Sequence, residues 1–243
     1  MRSLLHLDSS AGMPGGSVSR QLASLFADTW RELYPGGDYR YRDLVADPIS
    51  PLVPAYTTLG RRVQRHGGVP PSRVAALVEG IAEEREWALT LPLVTELLAA
   101  GTVLIGVPMY NFSVPAALKA WIDRVTFPGA YVDPDTGAPL LRDTRVVLAI
   151  ARGGGYGPGT PREAFDFQIP YLRAYFGNLG VAETGLSVVR AELTVSDIVP
   201  NLAGFRDLAA SSLAAARAEM VALATEQDYP VLPDRAAAPA ILG

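Results

Sequence analysis

The chain predicts a doubly wound α/β domain, a five-stranded parallel sheet with helices on both faces. Two observations carry that prediction. Five strand candidates are separated by stretches of helical period, and parallel strands need crossovers, which are helical. The runs at 102–108 and 145–151 are almost continuously apolar, as strands buried on both faces must be. The 243 residues fit one large α/β domain or two small ones, and the 49% hydrophobic content supports a sizeable core.

The elements follow in order. "SLLHLD" (3–8) is the first strand. The polar "SSAGMPGGSVS" then opens into "RQLASLFADTWREL", where Leu22, Leu25, Phe26, Trp30 and Leu33 recur at helical spacing. "YRYRDL" (39–44) alternates like a second strand, ended by the proline of "DPIS". The proline-spotted stretch 51–71 shows no assignable element. A helical pattern runs from Ser72 to about Ala100, with Pro92 expected to kink or divide it. "TVLIGVP" (102–108) is the third strand and "VPAALKAWIDRV" the helix after it. "AYVDPDTGAPLL" (130–141) reads as a hairpin around Asp-Thr-Gly, and "RVVLAIA" (145–151) is the fourth strand, leading into "RGGGYGPG". "FQIPYLRAYFGNLG" (167–180) reads as a helix closing at Gly180, "AETGLSVVRA" as the fifth strand and "LAGFRDLAASSLAAARAEMVALATEQ" as the last helix. One domain is expected over 1–228, with 229–243 a mobile or partner-docked extension.

Composition narrows the function. Net charge is -4 with both signs scattered along the chain, so no basic stripe for nucleic acid or anionic lipid is present. Cysteine is absent, which excludes disulfides, thiolate metal sites and thiol nucleophiles. Redox chemistry would have to come from a cofactor, and no metal site is expected. The start "MRSLLHLDSSAG" is too short in its apolar part for a signal peptide, and no other apolar stretch approaches bilayer length. A cytoplasmic protein without a membrane partner is expected. All but one of the 21 basic residues are arginine, the exception being Lys119; that imbalance is assigned no function. His6, in an apolar strand, and His66, in a loop, read as structural or solvated.

In doubly wound sheets ligands bind beyond the carboxyl ends of the strands, near the point where strand order reverses. Three segments follow strands there. "SSAGMPGGSVS" offers Ser9, Ser10, Ser17 and Ser19 at a helix start, where free N–H groups and the helix dipole favour an anion; a single serine there would more commonly be just a helix cap. Neither G-x-x-x-x-G-K-[ST] nor G-x-G-x-x-G occurs, so a nucleotide triphosphatase or dinucleotide site is unsupported. "PMYNFS" sets Tyr110 and Phe112 on either side of Asn111, as a ring-binding wall or as aromatics that merely cover the sheet end. "ARGGGYGPG" places three glycines after a buried strand, either a plain turn or a loop whose amides approach a ligand closely. Together the three describe a site for a planar heterocycle with one phosphate, and flavin mononucleotide (FMN) fits best.

The segments "SSAGMPGGSVSRQLA", "VPMYNFSVPAALKAWIDRV" and "ARGGGYGPGTP", in this order and spacing, resemble the FMN-dependent NADH azoreductases, flavodoxin-like proteins that also act as quinone reductases. The similarity spans most of residues 3–225, and P-M-Y-N-F-x-[IV]-P-x-x-L-K-x-[WY]-I-D is its most specific part. The resemblance implies a flavodoxin-like sheet of order 2-1-3-4-5 and FMN bound by Ser10, Ser17, Val18 and Ser19 at the phosphate. It puts Met109, Tyr110, Asn111 and Phe112 against the ring, with Ala151, Arg152, Gly153 and Gly154 in the glycine loop and Tyr156 just beyond. Backbone N–H groups near Asn111 and at Gly153–Gly154 would donate to the ring edge, where charge accumulates on reduction. The implied reaction is a ping-pong hydride relay from NADH or NADPH to a quinone or azo acceptor, in a cytoplasmic homodimer with its two sites at the subunit boundary. No side chain is strictly demanded as an acid or base, although Tyr110 and Tyr156 are candidates to supply protons.

The chain departs from the family pattern in three places. Ala151 replaces a serine, Asn178 stands in "GNLG" where family members usually direct an aromatic toward the neighbouring subunit's flavin, and "TFPGAYV" after the 115–125 helix is short, which bears on Phe127 and Tyr131. Phe127, Tyr131 and Asn178 are therefore expected at the substrate pocket. Two other readings stay open: a flavoprotein of this fold with a specialised biosynthetic redox substrate, and a flavodoxin-type electron carrier.

Overall fold

A computed structural model describes residues 2–226; the extension expected at 229–243 lies outside the described residues. In chain order the elements are β1 (Ser3–Asp8), α1 (Val18–Leu33), β2 (Asp38–Asp43), α2 (Pro54–Arg65), α3 (Pro71–Val74), α4 (Ile81–Ala99), β3 (Thr102–Pro108), α5 (Ala116–Val125), β4 (Arg145–Ala151), α6 (Gln168–Asn178), β5 (Leu186–Ala191) and α7 (Arg206–Thr225). The strands form one parallel sheet of order β2-β1-β3-β4-β5, the architecture and order expected. The order reverses at β1 and β3, so the loops after them flank the crevice.

Successive residues of the central strands feed two cores. Leu5, Leu7, Val103, Ile105, Val107, Val146, Leu148 and Ile150 pack with residues of α2, α4, α5 and α6. Leu4, Leu104, Val147, Ala149 and Val189 point the other way, onto Leu22, Phe26 and Trp30 of α1 and Ala216 and Met220 of α7. Burial on both faces is why β3 and β4 read as unbroken apolar runs. Gly106 in β3 is required by close packing, since a Cβ there would fall 3.3 Å from Ser19 O and hard against the Asp8 carboxylate.

The structure corrects four local readings. The stretch 51–71 contains α2, whose Tyr56, Leu59 and Val63 are buried on one face; flanking prolines hid the period, and Pro54 sits in the first turn, where a missing N–H costs nothing. The helix expected over 72–100 is divided, but not by Pro92, which lies inside α4. The division is a 3-10 turn at Ala75–Leu77, then extended Val78 and Gly80 at φ 84°. The hairpin at 130–141 shrinks to a single bridge between Val132 and Pro139. Finally, Pro200–Thr225 is long and apolar enough, by length and composition, to cross a bilayer. Its apolarity comes largely from alanine, and it packs Ala216, Met220 and Ala224 against the sheet.

Candidate cofactor site

The phosphate segment folds into a cluster of hydroxyls. Ser17 is the N-cap of α1, extended, and accepts weakly from Arg20 N at 3.5 Å. Its hydroxyl donates to Ser10 Oγ at 2.9 Å and meets Ser19 Oγ at 3.2 Å, while Ser10 Oγ accepts from Gly12 N at 3.1 Å. All three serines are buried. Val18 and Ser19 begin the helix, where N–H groups lack intrahelical partners. Three hydroxyls and a helix N-terminus thus converge on one point, as an anion requires.

A cation stands one layer behind the serines. Arg20 is buried; its Nη2 donates to Ser10 O at 2.7 Å, and the guanidinium is bidentate to Asp43 at 2.8 and 2.9 Å. Nη1 also reaches Asp8 Oδ2 at 3.3 Å. The hydrogen bond from Arg20 holds the Asp43 carboxyl below its ordinary range. Tyr41, whose hydroxyl donates to Asp8 at 3.0 Å, is pushed up to about 12 by burial and then by the Asp8 charge. Arg20 shapes the cradle through a carbonyl, a role with no local signature in the sequence.

The aromatic segment is a tight turn. Tyr110 and Ser113 exchange both backbone bonds at 3.1 Å, with Asn111 at φ 48° and Phe112 at φ 71° between them. Two successive left-handed residues match a type I′ turn, which normally takes Asn-Gly. Phenylalanine at the second position is strained by about 1–2 kcal/mol, and such strain concentrates at ligand sites. Phe112 is held by Phe167 N, which donates to its carbonyl at 3.2 Å, and by ring contacts to Phe165 and Tyr156 at 5.3 and 6.2 Å. The Tyr110 hydroxyl turns toward the phosphate segment, accepting from Ala11 N at 3.1 Å and lying 3.4 Å from Ser10 Oγ. Met109 N donates to Ala151 O at 2.8 Å, which joins this turn to the glycine loop.

In the glycine loop, the carbonyl side of the chain is occupied. Arg152 O accepts from Thr194 N at 3.0 Å, and Gly154 O from Leu193 N at 3.3 Å. Among the described residues, no group accepts from the N–H of Gly153 or Gly154, so those donors remain for a ligand. The Arg152 side chain turns inward and is fully buried; it contributes to a site through its backbone only. Tyr156 is buried, with its hydroxyl accepting from Arg162 Nη1 at 3.5 Å.

Two of the residues expected at the substrate pocket, Phe127 and Tyr131, lie elsewhere in this chain, and Asn178 is exposed to its outside. Phe127 and Tyr131 are core residues, Phe127 against Trp87 and Tyr56 at 4.9 and 5.4 Å, Tyr131 donating to Val125 O at 2.8 Å. Asn178 is the exposed last residue of α6, at the opposite end of that helix from the ring wall. An open cleft of about 520 Å³ does border the turn, lined by Tyr110, Asn111, Val114, Lys119 and Tyr171 among others. Residues without a motif complete the surroundings: Phe165 and Phe167, exposed beside Phe112, and the buried Gln168.

A reversal point at β1/β3, flanked by a hydroxyl-lined helix start, defines a protein of the flavodoxin class, and the model for the flavodoxin-like fold matches residues 2–206. An FMN-dependent NADH:quinone oxidoreductase of Nocardia farcinica is 45% identical over 207 residues, covering 85% of this chain and 90% of the relative. Another from Streptomyces coelicolor is 36% identical, covering 93% and 95%. The chain belongs to the family of FMN-dependent NADH:quinone oxidoreductases. The solved azoreductase of Bacillus anthracis shares the fold, with a TM-score of 0.73 at 21% identity over 92% of this chain and 99% of that one.

Proposed function

We propose that this protein is an FMN-dependent NAD(P)H oxidoreductase that passes two electrons to a quinone or azo acceptor. Donor and acceptor take turns in one pocket, and the protein works as a cytoplasmic homodimer without a nucleic-acid or membrane partner. The observation that carries this reading is the contiguity of the site: the Tyr110 hydroxyl joins the serine cluster to the turn, and Met109 joins the turn to the glycine loop.

The donors suit FMN. Ser10, Ser17, Val18 and Ser19 would hold the phosphate, Met109–Phe112 the ring face, and the N–H groups of Gly153 and Gly154 the polar ring edge. Ala151 has no hydroxyl to offer, and its carbonyl, taken by Met109 N, serves to join the turn to the loop. When bound, FMN supplies a centre that accepts and returns a hydride. The protein's own contribution is positioning and electrostatic stabilisation by donors fixed beforehand. Tyr110 acts in binding, because its hydroxyl is engaged by the phosphate segment. Tyr156 is the better candidate to donate a proton: its oxygen accepts from Arg162, leaving its O–H for an acceptor. Phe165 and Phe167, 47% and 58% exposed beside the ring wall, support a second subunit covering this edge.

Purified protein should take up FMN, show a bound-flavin spectrum and oxidise NADH with a quinone. Parallel runs with NADPH and with an azo dye rank donors and acceptors. A protein that stays colourless with added FMN would refute the reading, and a monomer in sedimentation would remove the dimer from it.

A further inference from the structure

Behind the glycine loop lies a charged cluster that the functional reading leaves unused. The buried Arg152 guanidinium places Nη2 2.8 Å from Asp166 Oδ2 and donates from Nη1 to Glu192 Oε1 at 3.3 Å and from Nε to Gln168 Oε1 at 3.2 Å. Gln168 Nε2 in turn donates to Pro108 O at 3.1 Å. One side chain therefore ties together the ends of β3, β4 and β5 and the start of α6, the elements that carry the ring wall and the glycine loop.

Glu192, the residue after β5, is the centre of this arrangement. Besides Arg152, its Oε1 accepts from Tyr156 N at 3.2 Å. A Cβ on Gly157 would meet its Oε2 at 3.4 Å and one on Gly155 at 3.9 Å, which places the carboxylate directly under the loop. The next two residues grip the same loop: Leu193 N binds Gly154 O, and Thr194 binds Arg152 O through both N and Oγ1. Leu193 does so at φ 60°, a conformation that persists in a branched residue only when its surroundings over-determine it. Arg152 faces two carboxylates, Asp166 and Glu192, and Arg162, whose Nη1 would stand 3.6 Å from a Cβ on Gly154, brings a second cation to the same loop; the carboxylate that lies under the loop is that of Glu192.

We propose that Glu192 is a positioning residue of the flavin site. Through Arg152 and Tyr156 N it orients the N–H groups of Gly153 and Gly154, and as a negative charge beneath them it holds the cofactor's reduction potential down. The physical reason is that a nearby negative charge disfavours added electrons, the more so where burial limits screening. A low potential makes the site a stronger reductant toward its acceptor. The inference rests on the reading that FMN lies against Gly153 and Gly154.

Glu192→Gln, in FMN-loaded protein, keeps the shape and an acceptor oxygen while removing the charge. Reduced flavin should then be bound about tenfold more tightly relative to oxidised flavin, a rise of about 30 mV for a two-electron couple. Glu192→Asp restores the charge and should return the potential toward wild type, while its shorter reach lowers FMN affinity measured by titrating apoprotein. An unchanged or lower potential in folded, flavin-loaded E192Q overturns the proposal. Should E192Q not fold, Asp166→Asn, which retains the Oδ1 that caps α6, removes the same charge from the other side of Arg152 and is judged by the same rise. Wild-type protein that takes up no FMN would overturn the functional reading and this one together; normal uptake with an unmoved potential overturns this one alone.

Discussion

The hydroxyl of Tyr110 shows how one side chain can belong to two parts of a site. From the turn after β3 it accepts the Ala11 N–H at 3.1 Å, so the ring wall and the phosphate cradle cannot shift independently. Tyr110→Phe keeps the aromatic face and removes that acceptor. A hydrogen bond of this kind contributes about 1 kcal/mol, so apoprotein titrated with FMN should bind about fivefold more weakly, with NADH oxidation at saturating FMN unchanged. A slower rate at unchanged affinity would place the hydroxyl on the acceptor side instead.

At the scale of elements, the turn Tyr110–Ser113 holds a conformation that its sequence resists. Asn111 suits a positive φ, but Phe112 at φ 71° does not. Phe112→Gly should relieve about 1 kcal/mol of backbone strain and lose the contacts to Phe165 and Tyr156. The two effects oppose each other in stability and not in binding: melting temperature should change little, while FMN affinity falls at least about fivefold. A large drop in melting temperature with normal affinity would mark the ring as a plain core residue.

Across the whole molecule, partly buried ion pairs fasten elements distant in the chain. Arg20 of α1 holds Asp43 of β2, and Arg62 of α2 holds Glu83 of α4. Hydrogen bonds from these arginines keep both carboxyls below their ordinary range. A carboxyl whose folded pKa is depressed adds stability that is present above its unfolded value, about 4, and is lost as pH falls through the folded value. Melting temperature should therefore be flat between about pH 5 and about pH 9 and fall on acidification. Asp43→Asn should lower the neutral-pH melting temperature and flatten the acid limb; a parallel shift of the whole curve would show that the Asp43 charge contributes nothing.

The strands, their chain order and the three ligand loops were legible in the sequence, because hydrophobic period and turn residues are local properties. The same is true of Met109–Phe112, which carries a specific motif, and of the serines around Ser17, which are legible as a cluster before a helix. α2 escaped because prolines interrupt the window in which its period would show, and Phe127 and Tyr131 read as pocket residues because the fate of an aromatic in a loop depends on what packs over it. Asn178 likewise could be placed only once α6 had a direction. The supports of the site were illegible for a different reason. Arg20 with Ser10 O, Arg152 with Glu192, and Gln168 with Pro108 O join residues far apart in the chain, and a long-range polar contact leaves no period in either partner's neighbourhood. The sequence by itself determined which backbone segments follow the strands on either side of the reversal point; only the tertiary structure decided which buried charges hold them there, since those pairings exist only after the sheet has brought its strand ends together.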